Sequence, residues 1–149
     1  MTRSPFRRAA VVAAAAGALL LAVAAPAAAH VTVNPDSATQ GGFTKVVFRV
    51  PNETDTANTT KLEVTLPTDT PVAIVSLKPV TGWTAKTEKT TLKTPIKAEG
   101  GEITEAISRI TWTAAGNAAI KPGQFQEFDV SLGPLPEVPQ VVFKALQTY

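Results

Sequence analysis

The chain has 149 residues, 44% of them hydrophobic and 17% charged, with no cysteine and a formal net charge of +2. The lack of cysteine excludes a disulfide framework and thiolate chemistry. Three of the basic residues, Arg3, Arg7 and Arg8, crowd the N-terminus, and from His30 onward eleven Lys and Arg face twelve Asp and Glu. The apparent basicity therefore gives no support to nucleic-acid binding.

Residues 1–29 form a segment of their own. The basic start is followed by an Ala-, Val- and Leu-rich stretch from Ala9 to Ala25, then Pro26 and the small pattern Ala27-x-Ala29. That order is the layout of a secretory signal peptide, with cleavage expected at Ala29/His30. As an anchor the apolar stretch would be marginal for a membrane span, and the small-residue site at its end favours cleavage. The sole methionine, Met1, would leave with this segment. The expected mature chain, residues 30–149, suits a single exported domain with one core, stabilised by packing alone.

From His30 onward the apolar residues recur at period two. "FTKVVFRVP" alternates around Phe43, Val46, Phe48 and Val50, and "KLEVTLP" puts Leu62, Val64 and Leu66 on one face. "PVAIVSLKP", "RITWTA", "QFQEFDVSL" and "PQVVFKAL" behave similarly, each near Pro, Gly or Asn turn signals. Short alternating runs rich in β-branched residues read as half-buried strands. "NPDSATQGG", "NETDTANTT" and "AAGNAAIKPG" read as loops, and "KTPIKAEGGEITEAI" as a hairpin turning at Gly100-Gly101. The predicted fold class is all-β, an antiparallel sandwich or small barrel of immunoglobulin- or cupredoxin-like type.

If "HVTVNP" pairs antiparallel with "FTKVVFRV", His30 falls beside Pro51, Asn52 and Glu53. Simple up-and-down connections would bring Gly82-Trp83 and the turn after Trp112 to the same end. His30 is the only histidine, and cleavage before it would give that residue a free α-amine beside its imidazole. Groups of both kinds shed protons near neutral pH, and the amine and Nδ1 of one residue close a six-membered chelate ring, the geometry of a histidine brace. Two nitrogens with a carboxylate favour Cu(II), which heads the divalent affinity order. Zinc competes on ligand type, but its usual structural sites need four protein ligands rich in Cys or His. Carboxylates such as Glu53, Asp36 and Asp55 are more often solvated than liganding, and Trp83 and Trp112 read as core or rim aromatics.

The run "AHVTVNPDSATQGGFTKVVFRVPNETDTANTTKLEVTLP", with "GW", "ITWTA" and "PGQFQEF" further on, resembles the YcnI-like family of exported bacterial proteins across nearly the whole expected mature chain. The specific marks are His30, the "VPNE" step from Val50 to Glu53, and the pair Phe125-x-x-Phe128. The resemblance implies Cu(II) binding through the N-terminal histidine brace, with His30 as the brace and Glu53 as the carboxylate. It further implies an extracytoplasmic role in copper chaperoning, trafficking or homeostasis, with a copper-handling protein as partner. Relatives continue past the position of "ALQTY" into an Asp-Gly turn and a Trp-bearing strand, many ending in a membrane anchor. The sequence given stops at Tyr149, which implies either a more open site or a C-terminally truncated chain, and neither Trp83 nor Trp112 matches that Trp.

Enzymatic readings fare worse. A polysaccharide-cleaving copper oxygenase needs a second histidine, and the serines have no histidine base other than His30. The expectation is a binding protein without catalytic activity, touching the membrane only through its signal segment or a missing C-terminal anchor. The alternative is a metal-free exported adhesion or interaction sandwich, since such architectures serve many unrelated roles.

Overall fold

A computed structural model describes residues 30–98 and 101–149 of the chain. The expected signal segment and the hairpin-turn residues Glu99 and Gly100 lie outside the described residues. Eight strands follow in order: β1 (Thr32–Asn34), β2 (Thr44–Pro51), β3 (Lys61–Thr65), β4 (Ile74–Leu77), β5 (Trp83–Ala98), β6 (Gly101–Ala114), β7 (Phe125–Gly133) and β8 (Lys144–Thr148). They form two antiparallel four-stranded sheets, ordered β1-β2-β7-β4 and β5-β6-β3-β8. The only other regular element among the described residues is a 3-10 turn at Gly116–Ala118, and no described helix is long and apolar enough to cross a membrane.

Alternation along the strands builds the core. Val46, Phe48 and Val50 of β2 are buried, as are Phe128, Val130 and Leu132 of β7. The other sheet answers with Leu62 and Val64 of β3 and Ile110 and Trp112 of β6. Successive side chains of a strand point to opposite faces, so each set shares the inward one. Aromatic rings join the sheets: Trp112 lies 5.1 Å from Phe128 and 6.3 Å from Phe48, and Trp83 meets Phe128 edge-on at 5.0 Å. Both tryptophans are thus core residues.

Several sequence expectations need correction. Phe43 does not continue the β2 alternation: it precedes the strand, is 64% exposed, and lies over the backbone of Gly133, where a methyl group would collide with its ring. Phe125 and Phe128, three apart on one strand, take opposite faces. Phe125 is exposed beneath the Arg49 guanidinium, 4.4 Å from the ring centroid, while Phe128 is fully buried. The strand in "PQVVFKAL" begins only at Lys144. The sixteen residues of β5 carry little apolar alternation, because β5 is an edge strand paired with β6 alone and both its faces are largely exposed. Nor is the connectivity up-and-down, since the chain crosses between sheets after β2, β3, β4, β6 and β7.

Candidate metal centre

The site is built at one end of the sandwich, where edge strand β1 of one sheet faces edge strand β8 of the other. The β1–β2 register pairs Thr32 with Arg49, and two residues further back it brings His30 level with Pro51, where β2 ends. The chain then turns, and His30 Nδ1 lies 3.2 Å from Glu53 Oε1. The imidazole is open to solvent, with 79% of its side chain exposed, whereas the Glu53 side chain is 31% exposed.

The Glu53 loop is fixed from within by Asn52. Its Nδ2 donates to the carbonyls of Ala57 and Ile120, each at 2.7 Å, and its Oδ1 accepts from the Thr54 backbone N–H at 2.8 Å. The Thr54 hydroxyl donates to the Ala57 carbonyl and accepts from the Ala57 N–H. An asparagine next to a turn closes such local bonds readily. The result is a short, internally bonded loop that holds the Glu53 backbone beside the end of β2.

The opposite wall comes from β8. Its register pairs Ala145 with Val64 and Gln147 with Leu62, so these alternate residues share the inward face. Phe143, Ala145, Gln147 and Tyr149 line an open cavity of about 410 Å³ together with Val31, His30 and Glu53. Phe143 seals the inner side, its ring edge-on to Phe48 at 5.4 Å. Gln147 ties the wall to the loop, because its Nε2 donates to the Pro51 carbonyl at 2.8 Å and lies 2.6 Å from Oγ1 of the fully buried Thr59.

The structure thus brings His30 and Glu53 together. Asp36 does not join them but lines a separate cavity, and Asp55 lies exposed further along the Glu53 loop. Among the described residues no group of three or more His, Cys, Asp or Glu side chains gathers to hold a metal. Gly82-Trp83 and the turn after β6 do fall at this end, joined by the Ala115 N–H donating to the Gly82 carbonyl, yet Trp83 faces the core and neither tryptophan lines the cavity. Sequence reasoning missed Gln147 and the bracing role of Asn52. A signal for Gln147 was present: in "FKALQTY" a polar residue keeps period two with Phe143.

Residues 30–149 match the family described as domain of unknown function DUF1775. The chain belongs to this family. The YcnI-like resemblance is upheld by a second comparison: the copper-binding protein CutI of Bacillus subtilis (strain 168) is 33% identical over 104 residues, which cover 70% of this chain. The match spans only 43% of CutI, so the chain corresponds to less than half of that relative. Among solved structures, an uncharacterized protein from Nocardia farcinica with an immunoglobulin-like fold is 43% identical and superposes with a TM-score of 0.63, over 80% of this chain and 77% of that one. The DUF1775 domain here is accordingly an immunoglobulin-like sandwich.

Donor chemistry at the site fits a cation. Nδ1 and Oε1 at 3.2 Å are close enough to be neighbouring ligands of one ion with bonds of about 2 Å. An α-amine on His30, were the chain cut before it, would add a second nitrogen on the same residue.

Proposed function

We propose that this protein binds Cu(II) outside the cytoplasm and holds or passes it on, as a chaperone or homeostasis component without catalytic activity of its own. Export and cleavage at Ala29/His30 supply the site: the new α-amine and Nδ1 of His30 chelate the ion, and the Glu53 carboxylate is the third donor. The observation that carries this reading is the 3.2 Å approach of Nδ1 to Oε1 at a solvent-open cavity. The relationship to a protein named as copper-binding supports it. Nitrogen and oxygen donors without sulfur suit Cu(II) over Cu(I), and Cu(II) outcompetes other divalent ions at such sites. Two donors linked in one residue also require little ordering when the ion arrives. Copper is cargo here, and exposure of the imidazole suits exchange with a partner protein.

The test uses the precursor expressed with its own leader in an exporting bacterial host. Mass spectrometry of the product should give His30 as first residue. Titration with Cu(II), followed by calorimetry and paramagnetic resonance, should then show one ion per chain bound through nitrogen. His30→Ala, or one alanine added ahead of His30, should weaken binding by roughly a hundredfold or more, beyond the 10- to 100-fold typical of outer-shell changes. Glu53→Gln should weaken it less, because the chelate remains. Unchanged affinity in the His30 variants would overturn the reading and leave the His30–Glu53 contact as a simple ion pair in a metal-free interaction module.

A further inference from the structure

The β8 side of the cavity contributes a residue that no sequence motif marks. Of the four β8-side residues that line it, Phe143 and Ala145 have no donor atom in their side chains, leaving Gln147 and Tyr149. The Gln147 amide has a fixed orientation. The Pro51 carbonyl can only accept, so the nitrogen must face it. The same nitrogen lies 2.6 Å from Thr59 Oγ1, so both of its protons are engaged. The amide oxygen takes part in neither contact, and Gln147 borders the same cavity as His30 and Glu53.

We propose that Gln147 Oε1 is a further, weaker oxygen donor to the copper ion held by His30 and Glu53. This rests on the copper reading above. Cu(II) binds a few donors tightly and others weakly, and the weak position in copper sites is filled by methionine sulfur or by a glutamine or backbone oxygen. Residues 30–149 contain neither methionine nor cysteine, so a weak donor among them is an oxygen or nitrogen. An amide already oriented by two hydrogen bonds loses little freedom on meeting the ion. The same bonds join β8 to the end of β2, so the weak donor and the Glu53 loop are held on one frame.

Two substitutions separate a donor from a latch. Gln147→Leu removes the oxygen and both hydrogen bonds, whereas Gln147→Glu keeps an oxygen and loses the N–H groups that face Pro51 and Thr59. The exported proteins are compared by competition titration with Cu(II), by the paramagnetic resonance spectrum, and by the melting temperature of the metal-free form. Gln147→Leu should lower affinity about tenfold, at the lower end of what outer ligands cost, and alter the copper hyperfine splitting. Gln147→Glu should bind at least as tightly as the parent even with its melting temperature reduced. A parental spectrum and affinity in Gln147→Leu would overturn the proposal, as would equal weakening of both variants, the result expected of a latch alone. Either failure leaves the copper reading standing so long as binding by the parent still depends on His30; loss of that dependence overturns both.

Discussion

Asn52 engages both amide protons and its carbonyl oxygen in the loop that displays Glu53. Replacing it with alanine leaves the Thr54 N–H without its partner and removes one donor each from the carbonyls of Ala57 and Ile120. Losing partly buried hydrogen bonds of this kind costs about 1–3 kcal/mol. Asn52→Ala is therefore expected to melt earlier in a denaturant titration. If Cu(II) is held as proposed above, this variant should also bind it more weakly than the parent, because Glu53 is no longer held beside the end of β2. A second residue-scale feature is Trp112, whose buried indole N–H has no hydrogen-bond partner among the described residues. The ring fills the space between Phe48 and Phe128, and packing of that size outweighs one unpaired donor.

On the outer face of the first sheet, Asp129 of β7 ties three strands together. Lys45 of β2 and Lys78, just beyond β4, place their ammonium groups 3.3 and 3.2 Å from its carboxylate. Burial by itself raises the carboxyl, but hydrogen bonds from Lys78 and Lys45 outweigh it and hold Asp129 below its ordinary range. A carboxylate lowered in the folded state adds stability above its unfolded pKa, and that contribution disappears as pH falls through the folded value. Both lysines are exposed, so the network contributes no more than about 1 kcal/mol. Asp129→Asn should lower the melting temperature at pH 7. The gap to the parent should hold down to about pH 4 and then close with further acidification, since an unperturbed aspartate titrates near 3.9. Thermal melts of the two proteins between pH 7 and pH 2 read this directly.

At the scale of the molecule, two sheets are held by one layer of inward side chains with no covalent staple. Phe128 is the centre of that layer, touching Trp83 and Trp112 of the opposite sheet. Phe128→Ala opens a cavity that rigid neighbouring strands cannot fill, and such truncations cost about 3–5 kcal/mol. The expected outcome is a lower unfolding midpoint in urea with the slope unchanged, since the surface exposed on unfolding stays nearly the same. The proposed metal site lies away from this layer, between the β1 and β8 edges. That position leaves one side of the site to solvent, where an ion can enter and leave.

Features legible in the chain alone are local ones. Period-two burial in β2, β3, β6 and β7 was legible because side-chain direction in a strand depends only on parity. The closeness of His30 to Glu53 was legible too, since β1 and β2 are consecutive antiparallel strands and their pairing fixes which residues meet across it. Long β5 left little trace, because an edge strand exposed on both faces needs no apolar alternation. Only the packing of the two sheets shows that β8 crosses to the far sheet and sets Phe143, Gln147 and Tyr149 against His30. Contact between sheets depends on how two layers stack and which edges coincide, and no run of neighbouring residues encodes that.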